Sequence, residues 1–207
     1  MTDPSPSFAR VLDALRQRDA AAQGEVLLRY ESWLGLLARL QIDTRFQGKF
    51  SASDIVQQTL LEACRDLPEF RGRTEPELLA WLRQILAHVL GHEIRRYRGT
   101  QQRDLDREIS LDEALAQSSQ QLAEVIADSG PSPSSRASDR EQELLLADVL
   151  ARLPPDHREV IILRNLEGLS HEEVARRMGR SAGAVRMQWL RALASLRAAL
   201  DGDPGSR

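Results

Sequence analysis

A serine or threonine followed three residues later by glutamate occurs at four places where helix-periodic apolar residues follow: Thr74/Glu77, Ser110/Glu113, Ser138/Glu141 and Ser170/Glu173. At this spacing the hydroxyl accepts from the glutamate amide while the carboxylate reaches back to the cap amide, so two orphan donors of a helix start are satisfied together. A chain punctuated in this way is committed to a series of helices. Composition agrees. The 207 residues are 42% hydrophobic but only 4% aromatic, and Leu, Ala, Arg, Glu and Gln recur, a mixture that favours helix and supplies few of the β-branched and aromatic runs that strands want. The fold expected is all-α.

Periodicity and breakers place helices over about residues 8–18, 21–40, 54–67 with Ser53 as cap, and 75–98. "DSGPSPSSRAS" is too rich in Ser, Pro and Gly to bury a core, and reads as linker. From Asp139 a helix runs to Leu153, Pro154 and Pro155 stop it and open the next, and Gly168 suits a left-handed C-terminal cap. The expected organisation is therefore two small helical domains, residues 1–100 and 139–200. An acidic flexible linker at 101–138 joins them, and a tail follows at 201–207.

Several function classes lose support at this level. No apolar run approaches the roughly 18 residues of a membrane span, and the N-terminus lacks a basic segment followed by an apolar one, so a cytoplasmic location without membrane contact is expected. The single cysteine, Cys64, reads as a small buried apolar residue. His88, His92 and Glu93 stand in the order His-x-x-x-His-Glu, not the His-Glu-x-x-His of zinc proteases, and neither a phosphate-cradling glycine loop nor a nucleophile elbow is present. No catalytic residue, metal site or cofactor is assigned, and the chain is not expected to be an enzyme.

The net charge of −3 conceals an asymmetry. Residues 101–152 hold 11 acidic against 5 basic side chains, whereas Arg176 to Arg197 contains six arginines and no acid. A basic face on an acidic chain suits contact with phosphate, and a merely solvated arginine face is the alternative. Five of those six arginines lie in "LSHEEVARRMGRSAGAVRMQWLRAL", where Ser170 caps a helix to about Met178, Gly179 supplies a sharp turn, and Ser181 caps a second helix from Ala182 to about Leu200. This is helix-turn-helix spacing. Val174, Ala175 and Met178 face inward on the first helix and Val185 and Trp189 on the second, leaving Arg186, Met187, Gln188, Leu190 and Arg191 for the outward face and its edges. In such a motif the second helix lies in the major groove, where Arg reads guanine and Gln adenine.

The unit "LPPDHREVIILRNLEGLSHEEVARRMGRSAGAVRMQWLRALASLR" resembles the minus-35-binding domain of bacterial sigma factors of the extracytoplasmic-function (ECF) group. The resemblance extends to the N-terminal half: "DIVQQTLLEA" at 54–63 looks like the family's polymerase-binding helix, "FRGRTE" at 70–75 like its minus-10-reading loop, and "AWLRQILAHVLGHEIRRYRG" at 80–99 like its basic helix. Gln58 stands where the family usually has an acid, and Gln188 with Trp189 replaces its commoner Arg-aliphatic pair.

This resemblance implies a protein that binds core RNA polymerase, carries it to promoter DNA and starts strand opening, with an anti-sigma factor as an optional further partner. It implies core contacts at Asp54, Gln57, Gln58 and Leu61, which share one helix face at i, i+3, i+4 and i+7. Without it, Leu61 could equally face the domain core. It implies minus-10 contacts at Arg71, Arg73, Thr74, Arg83, Arg95, Arg96 and Arg98, and minus-35 contacts at Ser181, Arg186, Gln188, Leu190 and Arg191. Phe70 and Trp81 are assigned to the core. The acidic linker fits a path through positively charged polymerase, a passive tether being the alternative. A rival reading is a conventional helix-turn-helix regulator with a sensing or dimerising helical domain, which has no reason to carry the three N-terminal motifs in order.

Overall fold

The computed structural model describes residues 8, 11–13, 20–42, 51–98, 111, 113–118 and 136–202, and every regular element among them is helical. The chain divides into two compact units, Met1–Gln117 and Ser118–Arg207.

In the first unit, α1 (Ala20–Leu28) and α2 (Glu31–Gln41) are separate helices where the periodicity suggested one. The break has a packing reason: Arg29 and Tyr30 form a turn, with the Tyr30 amide donating to the Leu27 carbonyl at 3.0 Å, and Tyr30 is buried with its hydroxyl donating to Glu75 Oε1 at 3.3 Å. Burial and the nearby Glu75 carboxylate push the Tyr30 hydroxyl's pKa well above the usual phenol range. Helix α3 (Ala52–Asp66) is capped by Ser51, not by Ser53: Ser51 Oγ accepts from the Asp54 amide and the Asp54 carboxylate accepts from the Ser51 amide. After a 3₁₀ turn at Leu67–Glu69 and a short loop comes α4 (Glu75–Arg98). Trp33, Leu34 and Leu37 of α2, Ile55 and Val56 of α3, and Leu78, Leu82, Leu86 and Leu90 of α4 are buried together as the core, with Thr59 satisfied by its bond to the Ile55 carbonyl at 2.7 Å.

The boundary of this unit differs from the one expected at residue 100. Residues 113–118 are helical, Leu115 is fully buried, and Gln41 Nε2 donates to the Ala114 carbonyl at 3.5 Å. Residues 113–117 thus fall within the first unit. Ser110, and most of the expected linker, lie outside the described residues.

The second unit comprises α5 (Arg136–Arg152), α6 (Pro155–Ile161), α7 (His171–Met178) and α8 (Ala182–Gly202). Ser138 falls inside α5 and does not start it. Pro155 opens α6 as expected, but the helix then widens into a π turn at Ile162–Leu166, where the Glu167 amide reaches the Ile162 carbonyl at 2.9 Å. Gly168 follows at φ +68° and the Leu169 amide closes on the Leu163 carbonyl at 3.0 Å. Leu146, Leu150, Val160, Ile161, Ile162, Val174, Val185, Ala192 and Leu196 make the core.

Two glycines near the α7–α8 turn are expected to respond oppositely to alanine. Gly179 sits at φ +64°, so Gly179→Ala loses about 1–2 kcal/mol through the left-handed backbone alone. Gly183 is helical with open space beyond its Cα, so Gly183→Ala is neutral or gains up to about 1 kcal/mol. Thermal melts of the two variants check the pair of signs.

Candidate nucleic-acid interface

The helix-turn-helix is assembled by local chemistry at each joint. Ser170 Oγ accepts from the Glu173 amide at 3.2 Å, and Glu173 Oε2 accepts from the Ser170 amide at 2.7 Å, a complete capping box. That amide, with the Ser170 hydroxyl, holds the Glu173 carboxyl below the usual carboxylate range. At the other end of α7 the Gly179 and Arg180 amides both return to the Ala175 carbonyl, the latter at 2.9 Å. Ser181 Oγ then accepts from the Ala184 amide at 3.2 Å to start α8.

The rotation of α8 about its own axis is set from the inward side. Val185, Ala192 and Leu196 are completely buried. Trp189 is half-buried, its Nε1 donating to Asn165 Oδ1 at 3.0 Å, its ring edge-on to His171 at 5.5 Å and the Arg164 guanidinium 5.8 Å from its centroid. The π turn thus presents Asn165 to the tryptophan. Gln188, expected on the DNA-reading face, points inward instead. It is 8% exposed, its Nε2 donates to the Asp156 carbonyl at 2.7 Å, and its Oε1 accepts from Arg180, which also pairs with the Asp156 carboxylate. Both the nitrogen and the oxygen of the amide bond inside the unit, and its burial turns Gln188 away from the face that would read adenine. Arg180, one of the six arginines of the basic run, is tied into the same cluster, and Arg177 pairs with Glu167 at 2.6 Å.

The outward face carries Arg186, Met187, Leu190 and Arg191, all exposed, with Ser181 exposed at the helix start. Neither the Arg186 nor the Arg191 guanidinium has a hydrogen-bond partner among the described residues.

In the first unit, Asp54, Gln57, Gln58 and Leu61 all emerge on the exposed side of α3, opposite the buried Ile55, Val56, Thr59 and Ala63. Leu61 is 66% exposed, which removes the reading in which it faces the core. Asp54 spends one carboxylate oxygen on the Ser51 cap, and Gln58 Nε2 donates to Glu62 Oε1 at 2.9 Å.

The loop before α4 explains its own sequence. Phe70 packs on Trp81 with ring centroids 5.0 Å apart, and a Cβ on Gly72 would stand 2.2 Å from the Phe70 ring, so the aromatic contact requires glycine two residues on. Both rings are half-buried. Glu77 Oε2 accepts from the Arg73 and Thr74 amides at 2.6 and 3.1 Å, which lowers its pKa and leaves the Arg73 side chain exposed. Arg71 Nη1 donates to the Pro68 carbonyl at 2.8 Å. Arg83 is half-buried, its Nε shielded and without a partner.

The residues expected at the minus-10 element do not form one cluster. Arg71, Arg73 and Thr74 stand at the start of α4, while Arg95 and Arg96 lie near its far end, about 30 Å away at roughly 1.5 Å per residue. Arg96 lies 3.6 Å from Glu93, which also faces His92 at 3.5 Å. Arg98 ends the helix, and its side chain lies outside the described residues. Cys64 is half-buried and not fully enclosed, with burial raising its thiol pKa. Among the described residues no group of His, Cys, Asp or Glu is placed to hold a metal ion.

Residues 143–196 match the family described as Sigma-70, region 4, a span that covers most of α5 and all of the helix-turn-helix through Leu196. ECF RNA polymerase sigma factor SigD of Mycobacterium tuberculosis is 32% identical over 184 residues, 86% of this chain and 77% of that protein. A probable RNA polymerase sigma factor, RfaY, of Xanthomonas campestris is 32% identical over 147 residues, and this chain spans 33% of its length. The solved structure of CnrH in complex with the cytosolic domain of CnrY is 24% identical, covering 93% of this chain and 96% of that one at a TM-score of 0.30.

The chain belongs to the ECF RNA polymerase sigma factors. Its function is that of the family: a regulatory subunit that binds core RNA polymerase and directs promoter-specific initiation of transcription.

Two measurements test the joints of the motif. Glu173 has a lower pKa folded than unfolded, so its contribution to stability is present at neutral pH and disappears as the pH falls through the native value. The difference in melting temperature between the wild type and Glu173→Gln is expected to narrow progressively as the pH is lowered below the ordinary glutamate range. Gln188→Ala is expected to destabilise the second unit by about 1–3 kcal/mol, because the Asp156 carbonyl and the Arg180 guanidinium each lose a partner. Calorimetry of Gln188→Ala beside Arg186→Ala, which is expected to melt like the wild type, separates inward from outward residues.

Proposed function

We propose that the two exposed faces described above divide the work of the sigma factor: α3 engages core polymerase through Asp54, Gln57, Gln58 and Leu61, and α8 engages the minus-35 element. The observation that carries the second assignment is the orientation of α8, whose buried face packs on α5, α6 and α7 and bonds to the π turn while Arg186 and Arg191 have no side-chain partner among the described residues. Ser181, at the exposed start of α8, suits a phosphate, as does the N-terminal end of any helix. Gln188 is not among the proposed DNA contacts. For α3, a leucine 66% exposed between polar neighbours is what a helix offers to a protein partner.

The exposed Arg71 and Arg73, with Thr74 beside them, are the proposed minus-10 group, since the Phe70–Trp81 stack and the Glu77 carboxylate present this loop as a shaped unit. Arg95 and Arg96, far along α4, are proposed to hold phosphates of the adjoining strand, and Arg83 contributes through its guanidinium end. The factor acts in the cytoplasm without catalytic chemistry of its own. No helix among the described residues is long and apolar enough to cross a membrane, which accords with that location. An anti-sigma factor is the regulatory partner that the family resemblance implies.

Reconstitution with core polymerase tests the division. Leu61→Asp is expected to lose co-purification with core while melting normally. Arg186→Ala and Arg191→Ala are expected to keep core binding, weaken promoter binding and each reduce the slope of log affinity against log salt by about one phosphate contact. Loss of both activities in either class of variant would overturn the assignment.

A further inference from the structure

The outward face of α8 has an unusual order. At about 100° per residue, Gly183, Met187, Leu190 and Ala194 form one stripe along the helix, diametrically opposite the buried Val185, Ala192 and Leu196. Arg186 lies to one side of the stripe and Arg191 to the other. The centre of the face is therefore apolar and its edges are cationic. Met187 is 52% and Leu190 47% exposed, and they are two of the four large hydrophobic side chains so exposed among the described residues. Neither is needed by the core, and in water both carry a hydration cost.

A helix seated in the major groove meets phosphates along its edges and base-pair edges along its centre. The arginine flanks match the phosphates in charge. The central side chains lack the paired donors and acceptors of Arg, Asn or Gln, and the one amide nearby, Gln188, is held inward by Asp156 and Arg180. Among the groups a base pair shows in the major groove, the thymine C5-methyl is the one that an alkyl or thioether side chain recognises. Gly183 and Ala184 keep the first turn of α8 slim, so the helix can approach closely enough for Met187 to reach the groove floor.

We infer that Met187 and Leu190 are specificity-determining residues that recognise thymine methyl groups within the minus-35 element. This rests on the reading of α8 as the minus-35 helix and adds the chemistry of what is read. The four groups would act together: two arginines fixing register on the backbone, two apolar side chains selecting thymine.

The test uses the full chain assembled with core polymerase and a promoter recovered from a library randomised across the minus-35 region. Each thymine of the selected element is replaced in turn by deoxyuridine, which removes the methyl and leaves the pairing and hydrogen-bonding edges intact. For the wild type, at least one replacement is expected to weaken binding roughly three- to fivefold, the worth of one buried methyl. For Met187→Ala or Leu190→Ala the thymine and deoxyuridine duplexes are expected to bind equally at the same position. Both variants are exposed-site changes, and their melting temperatures verify folding. Wild-type indifference to every replacement, a selected element without thymine, or methyl sensitivity that survives in both variants would each overturn the inference. Arg186→Ala and Arg191→Ala, measured on the same duplex, separate the two levels. If they weaken binding while deoxyuridine does not, only methyl recognition fails; if they too are without effect, the assignment of α8 to the groove fails with it.

Discussion

The burial of one side of α8 is the constraint on which the DNA-facing half of the molecule depends. Val185, Ala192 and Leu196 have no exposed surface, and Gln188 and Trp189 add directional bonds to Asp156 and Asn165, residues on two different elements. Apolar burial alone would tolerate some rotation of the helix. The Gln188 bonds do not, because a buried amide that turned away from its partners would be left unsatisfied at about 1–3 kcal/mol, and the half-buried Trp189 adds its own bond to Asn165. The face presented to solvent is thus decided by what the opposite face must hold.

The same logic operates in the first unit through different chemistry. Packing Phe70 on Trp81 fixes the loop ahead of α4, and the Phe70 ring occupies the space that a side chain at position 72 would need. Glu77 then ties the Arg73 and Thr74 amides from below, so exposed arginines extend from a loop whose backbone is held at three points. On α3, inward Ile55, Val56, Thr59 and Ala63 leave Gln57, Gln58 and Leu61 no place except the surface. Both units therefore display their proposed contact residues as the complement of a buried pattern.

Much of this could be read from the chain. The Ser170/Glu173 capping box, the turn at Gly179 and the start of α8 at Ser181 depend on residues within four positions of one another, and all three occur as the spacing indicates. The extended resemblance, running from "DIVQQTLLEA" to "AVRMQWLRAL", carried the family. What went astray has identifiable causes. Ser51 and not Ser53 caps α3 because Asp54, three residues on, supplies the reach-back carboxylate that glutamate supplies in the Ser170 box. Periodicity runs α1 and α2 together because Tyr30, apolar by pattern, is buried in a turn and bonded to Glu75, 45 positions away. Leu115 is buried within an acidic stretch whose composition suggests linker throughout.

Gln188 shows where local information ends. Its position on the edge between the inward and outward sides of α8 is plain from helical periodicity, and so is the run of arginines around it. Which way an edge residue turns depends on a partner, and its partners are the Asp156 carbonyl, 32 positions earlier, and an arginine drawn to the same aspartate. Cap, turn and helix are specified by contacts of three to five residues, and those the amino-acid order establishes directly. Helix rotation, and with it the removal of Gln188 from the exposed face that Met187 and Leu190 keep, follows from long-range burial and polar satisfaction, which arise once the helices have met.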